Sequence, residues 1–200
     1  MPAFPRRKIS AFSLVELLVV VAIIAILSVM MYGFGSAAHQ KTQMELCSDH
    51  LQKIFLALQI YANDFGKFPA ETNAQTSEDV LDLLVPKYSV DTSIFICPGG
   101  RDSQIPSGAS LRKYKISYAY YMGRGTNSPG DVLMSDRQIN TLSKNIGAQV
   151  LSLDGKPPGN NHHKYGGNFL FCDGSVQSSG PMAAFSLVFS NGIVLLNPKP

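Results

Sequence analysis

Residues 12–32 read FSLVELLVVVAIIAILSVMMY, and Arg6, Arg7 and Lys8 precede them. Glu16 is the one charge in the run. The 21 residues match the ~20 that an α-helix needs to span the hydrocarbon core of a bilayer. Cations come first, which predicts a cytoplasmic N-terminus and export of everything after Tyr32. The run also explains a composition with only 16% charged residues, against ~25% in ordinary soluble domains. A chain of 200 residues with 45% hydrophobic content is long enough for one domain and an appendage, at ~150 residues per domain. The net charge of +3 belongs to the leader: beyond residue 11, 14 basic residues face 14 acidic ones. A nucleic-acid binder keeps its basic stripe on the folded domain, so no nucleic-acid partner is expected. Neither a Walker-type nor a dinucleotide-type glycine loop is present, and no repeat at a fixed period.

Three readings of the N-terminal segment compete. A secretory signal would use Arg6–Lys8 as its basic region and cleave after Ser36-Ala37-Ala38, but its apolar core should be ~7–15 residues. The Arg6-Arg7 pair makes a twin-arginine signal a weaker variant of that reading. A plain membrane anchor leaves Glu16 unexplained. A carboxylate inside a spanning segment costs ~2.5–3.5 kcal/mol and normally has a partner, unless it snorkels to the headgroups. The third reading rests on the order of parts: basic leader, Ala11-Phe12-Ser13-Leu14-Val15-Glu16, then an apolar helix. This order resembles the class III signal of type IV pilins and type II secretion pseudopilins.

The resemblance implies that a prepilin peptidase cuts between Ala11 and Phe12 and methylates the new amino group of Phe12. Residues 1–11 would be a cytoplasmic leader that is removed. Residues 12–32 would be a retained transmembrane and filament-core helix. Residues 33–200 would be an exported pilin-like domain that includes the second half of the long helix. Family members usually have Gly before the cut, and Ala11 is the other small residue. In the family the carboxylate corresponding to Glu16 pairs with the N-terminal amine of a neighbouring subunit, here Phe12, which would remove the penalty of an unpaired charge in lipid.

Beyond Tyr32, Cys47, Leu51, Ile54, Phe55, Leu58, Tyr61, Ala62 and Phe65 recur at spacings of three and four, one face of a helix. Gln43, Asp49, Gln52, Lys53 and Gln59 fill other faces, and Gly66 with Pro69 ends the pattern. One helix from Phe12 to Phe65 would be about 80 Å long, weakened at Gly33 and Gly35. Tyr61-Ala62-Asn63-Asp64-Phe65-Gly66-Lys67-Phe68-Pro69 resembles the end of the long helix in type II major pseudopilins. Residues 76–88, TSEDVLDLLVPKY, predict a short helix capped by Thr76 or Ser77, with Val80, Leu81 and Leu84 inward. Strands are expected at 94–96, 114–121, 132–135, 150–153 and 168–171. Residues 185–189 and 193–196, flanking Ser190-Asn191-Gly192, read as a hairpin. Asp154–Asn161 should be a loop. The expected fold is α+β: a long N-terminal helix, membrane-embedded then amphipathic, packed on a small antiparallel β-sheet head.

His163-Lys164-Tyr165-Gly166-Gly167-Asn168-Phe169-Leu170-Phe171-Cys172-Asp173-Gly174 matches the His-x9-Asp-Gly signature of a pseudopilin-like bacterial family. Ser135-Asp136-Arg137 and Phe95-Ile96-Cys97-Pro98 resemble further patterns of that family. Asn168 onward reads as strand, Asp-Gly turn, strand. His162, His163 and Asp173 are compatible with a metal site but lack the compact spacing of a His-Glu-x-x-His helix. A turn-fixing role for His163, Asp173 and Gly174 is the main expectation. Calcium at Asp154, His163 and Asp173 is the lesser one, because some type II major pseudopilins hold calcium in a late loop although no EF-hand spacing occurs here. No other cofactor is expected. Three cysteines cannot all pair internally. An exported head would favour a disulfide between Cys97 and Cys172, with Cys47 a small core residue.

These readings point to a structural subunit, not an enzyme. It would sit in a bacterial inner membrane as a single-pass protein, N-terminus cytoplasmic and head periplasmic, or reach the cell surface in a filament. Its partners would be its own copies, other pseudopilins, the prepilin peptidase, and an inner-membrane assembly platform with its ATPase. The alternative is a membrane-anchored periplasmic binding module that does not polymerise. A calcium-dependent exported enzyme has no convincing constellation behind it.

Overall fold

The structure is a computed structural model. It describes the backbone of residues 13–33, 35–190 and 192–200, with the side chains of residues 30–37 excluded. Ala11 and Phe12, and with them the expected cleavage site, lie outside the described residues. The chain divides into two units, Met1–His39 and Gln40–Pro200.

In the first unit, α1 runs Leu14–Gly33. Ser13 is its N-cap and Glu16 its third helical residue: the Ser13 amide donates to Glu16 Oε2 at 3.1 Å, one half of the reciprocal cap that Ser-x-x-Glu sequences form. The large apolar side chains from Leu14 to Val29 are 46–79% exposed on every side of the helix. Among the described residues, no helix is long and apolar enough to cross a membrane.

The second helix, α2, spans Gly35–Phe65. Phe34, between the two, lies outside the described residues, and with it the continuity expected of a single helix from Phe12 to Phe65. Within the second unit the amphipathic reading of α2 holds: Cys47, Leu51, Ile54 and Leu58 are fully buried and Phe55 nearly so. Phe65 departs from it, with 55% of its surface exposed, because it lies on the last turn beside Tyr61 and beneath Lys87. Gly66 ends the helix in the left-handed region at φ +71°, and its amide reaches Ala62 O at 2.7 Å, a closure that glycine makes without strain.

A short helix α3, Ser77–Leu81, follows. Asp79 Oδ2 accepts the Thr76 amide at 2.9 Å and the Thr76 hydroxyl at 3.1 Å. Val80, Leu81 and Leu84 point inward as expected. The head sheet has five antiparallel strands: β1 Tyr118–Met122, β2 Val132–Asp136, β3 Gly167–Phe171, β4 Val176–Ser179 and β5 Val194–Leu196, in the order β4-β3-β2-β1-β5. Alternation along β1 separates the two cores. Tyr118 and Tyr120 join the α2 side with Leu51, Ile54 and Leu170, whereas Ala119 and Tyr121 join Phe169, Phe171, Val150 and Leu187 on the other.

Four strand expectations change. Residues 94–96 fall largely in a 3-10 turn, Ser93–Phe95, because Asp91 Oδ1 captures the Ser93 amide at 3.0 Å and its hydroxyl at 2.6 Å. Such a local acceptor competes with a sheet ladder. The 114–121 strand begins only at Tyr118, after a 3-10 turn at Leu111–Lys113. Residues 150–153 and 185–189 are irregular covers of the second core, joined to the chain by single bridges, Gln149↔Met182 and Lys144↔Leu187. Val150, Leu151 and Leu187 are buried there without strand pairing, whereas Leu153 and Val188 are exposed. Consequently 185–189 and 193–196 form no hairpin: β5 pairs with β1, Tyr121 opposite Leu195.

Candidate functional site

Glu16 is placed by the N-terminal turn of α1, where its own chain's Ser13 amide holds one carboxylate oxygen. A carboxylate here also complements the positive end of the helix dipole. Ser13, Val15, Glu16, Val19 and Val20 line one open surface recess. The only anionic group on this apolar helix is therefore fixed at its N-terminal end.

The expected late-loop residues do not assemble. Asp173 closes the β3–β4 turn on itself: its Oδ1 accepts the Ser175 amide at 2.8 Å and the Ser175 hydroxyl at 2.6 Å, which holds its carboxyl below the usual range. Gly174 has φ +87°, and a Cβ there would lie 2.4 Å from the Phe55 ring, so the turn is pressed directly on α2. His163 sits in a different loop with φ +54°. It borders a cleft of about 420 Å³ whose rim includes Arg101, Asp102, Lys115 and Arg137. Among the described residues no hydrogen bond or ion pair joins His163 to Asp173. Asp154 spends its carboxylate on Ser152 and Lys156 of its own loop. The calcium trio Asp154, His163 and Asp173 thus forms no shared site among the described residues.

The Cys97–Cys172 pairing is also corrected: all three cysteines are free thiols. Cys172 follows β3, where its amide bonds Asp131 O at 2.9 Å. Cys97 belongs instead to a buried group of Cys47, Asp136 and His162, whose ligand atoms all lie within 4.8 Å of one another. Each comes from a separate element. Cys47 projects from the buried face of α2, Asp136 ends β2 opposite Tyr118, Cys97 follows the 3-10 turn at 93–95, and His162 lies in the turn after the Gly/Pro/Asn-rich loop. Cys97 Sγ is 3.3 Å from His162 Nε2, Cys47 Sγ is 3.4 Å from Asp136 Oδ1, and His162 Nε2 is 3.4 Å from Asp136 Oδ2.

A further layer orients these groups. Tyr118 Oη lies 3.1 Å from Cys47 Sγ. Asn161 Nδ2 donates to Asp136 Oδ1 at 2.7 Å, and the Asn168 amide donates to Oδ2 at 2.7 Å. Asn161 also reaches Ser117 O at 2.7 Å, which ties the His162 turn to the start of β1. Burial alone would raise the Asp136 pKa and lower that of His162. Desolvation is the largest single effect on each, but the partner's charge and the hydrogen bonds together outweigh it, so Asp136 moves down and His162 up to about 10. Burial also raises Cys47, whereas hydrogen bonds from Cys47 and His162 outweigh it at Cys97 and bring that thiol down. Cys47, Asp136 and His162 were not picked out together in the sequence. They are 26 to 115 residues apart, and no linear spacing carries the signal.

Residues 6–32 match the family model described as the prokaryotic N-terminal methylation motif. No curated protein and no solved structure matches the chain. The matched segment covers the basic leader, Ala11, Phe12, Glu16 and most of α1. Pilin-like proteins with this motif are structural rather than catalytic, and the motif implies processing by a prepilin peptidase and a membrane-anchored N-terminus. Residues 6–32 thus carry the prokaryotic N-terminal methylation motif, the prepilin signal of type IV pilins and pseudopilins.

Proposed function

We propose that this protein is a structural subunit of a type II secretion pseudopilus or type IV pilus-like filament. Assembly would follow cleavage between Ala11 and Phe12 and N-methylation of Phe12. The observation that carries this reading is the methylation motif over residues 6–32. The exposed apolar surface of α1 supports it, since exposed aliphatic side chains on every side of a helix call for lipid or other helices around them. In the membrane the helix is a single-pass anchor, with the leader in the cytoplasm and the head in the periplasm. On assembly, neighbouring copies replace lipid, and the Phe12 amine of one copy meets Glu16 of the next. Removing an unpaired carboxylate from lipid favours that step. Heterologous contacts repeated by one rotation and rise give an open filament. Energy for extraction comes from an ATPase on the assembly platform.

Intact mass and N-terminal sequencing of the protein from native membranes tests this. The expected product begins at N-methylated Phe12. A chain still beginning at Met1 would instead identify a plain anchor for a binding module, and one beginning at His39 an ordinary secreted protein.

A further inference from the structure

The group formed by Cys47, Cys97, Asp136 and His162 has the composition and convergence of a metal centre. We propose that it binds a single zinc-type divalent ion through Cys47 Sγ, Cys97 Sγ, His162 Nε2 and one Asp136 carboxylate oxygen. Bond lengths of about 2.3 Å to sulfur and about 2.0–2.1 Å to nitrogen or oxygen place the ligand atoms of a tetrahedral zinc about 3.3–3.8 Å apart. With Oδ2 as the carboxylate ligand, the Cys97 Sγ–His162 Nε2 separation of 3.3 Å and the His162 Nε2–Asp136 Oδ2 separation of 3.4 Å are edges of that tetrahedron, and the ligand atoms of all four residues lie within 4.8 Å of one another. The His162–Asp136 separation is long for a charge-assisted hydrogen bond, which closes to about 2.7–2.9 Å.

Hydrogen bonding alone accounts poorly for the arrangement. Cys97 Sγ and Asp136 Oδ2 both face the same nitrogen, His162 Nε2, and that nitrogen carries at most one proton. Nδ1 has no hydrogen-bond partner among the described residues. The same feature argues against a Cys-His-Asp nucleophile, in which the carboxylate must hold the nitrogen opposite the one facing sulfur. The four residues are also sealed from solvent: Cys47, Asp136 and His162 are 0% exposed and Cys97 1%. A substrate has no access, whereas a structural metal needs none. Structural zinc sites are closed, with four protein ligands.

The surrounding donors suit the bound charge. Binding takes both thiols to thiolates and the His162 imidazolium to the neutral imidazole, so up to three protons are released for each ion. Two thiolates, a carboxylate and a neutral imidazole around a dication leave a single negative charge. Tyr118 Oη faces the Cys47 sulfur, while Asn161 Nδ2 and the Asn168 amide donate to Asp136. Such outer donors orient and tune metal ligands. The ion would tie α2, the 93–97 segment, the end of β2 and the 160–163 turn at one point.

The test uses the full-length chain in detergent, reduced, stripped with a chelator and titrated with cobalt(II), then zinc. One equivalent of cobalt should give a thiolate-to-metal charge-transfer band with the strong d–d bands of a tetrahedral site, and zinc should abolish both. Tyr118→Phe, which keeps the ring in place, should retain the bands with roughly 10–100-fold weaker affinity. Cys97→Ser, which removes one thiolate and leaves Cys47, should clearly weaken the thiolate band, and Cys172→Ser should keep it at full intensity. A folded wild-type chain with no thiolate band would overturn the proposal, as would a band whose intensity Cys97→Ser leaves unchanged. Recovery of a Cys47–Cys97 disulfide in peptides from the native protein would also overturn it.

Discussion

Glu78 sits in the first turn of α3, where an acidic side chain ordinarily faces solvent and the helix dipole. Here it is fully buried. Its Oε1 accepts the Ile116 amide at 3.1 Å and the Lys199 amide at 3.0 Å, so one carboxylate ties α3, the approach to β1 and the C-terminus. Its neighbour Glu71 makes the opposite kind of contact, an exposed ion pair with Arg112. The two should therefore respond differently to truncation. Glu78→Ala leaves the buried Ile116 amide and the part-buried Lys199 amide without their acceptor; at ~1–3 kcal/mol for a fully buried orphan and less for the other, the expected loss is about 2–4 kcal/mol. Glu71→Ala removes a solvent-screened pair worth about 0–1 kcal/mol. Chemical denaturation of the two variants against the parent chain checks this, and equal losses would show that Glu78 is not the internal connector its geometry describes.

At the scale of elements, what the sequence made legible was what periodicity reports. The buried face of α2, the cap and inward leucines of α3, and the β3–turn–β4 unit all follow from local spacing, and all appear. Strands β1 and β2 were found with shifted ends. Apolar runs at 150–153 and 185–189 misled, because burial under an irregular cover and burial in a strand leave the same composition. The Cys/Asp/His group was invisible for a related reason: Cys47 already fits the helical core pattern, and His162 stands beside the motif residue His163. The Asp-Gly turn gives a sharp test of an element that was legible. Gly174 combines φ +87° with a Cβ position 2.4 Å from the Phe55 ring, while Gly147 has φ +81° and nothing within 4 Å. Both lose left-handed freedom on substitution, at ~1–2 kcal/mol. Only Gly174→Ala adds overpacking, at ~1–3 kcal/mol. Gly174→Ala should therefore melt well below Gly147→Ala in thermal unfolding. Matching melting temperatures would mean that α2 yields to the turn without cost.

For the whole molecule, the division at His39/Gln40 separates two kinds of surface. The described aliphatic side chains of the first unit are exposed, and both hydrophobic cores are built from residue 47 onward. Every described core residue lies within Gln40–Pro200, so the head is expected to fold without residues 1–39. A chain lacking residues 1–39 should be soluble without detergent and should unfold cooperatively at the temperature of the head in the intact protein. Glu16→Ala in the full chain should leave that transition in place, because substitutions with no shared partners act independently. Filament assembly, followed by shearing and sedimentation from native cells, should nevertheless fall. The two readouts together locate the defect. A head that fails to fold without residues 1–39 would show that the helix is part of its core, whereas normal filaments from Glu16→Ala would remove the carboxylate from the assembly step while leaving the prepilin signal intact.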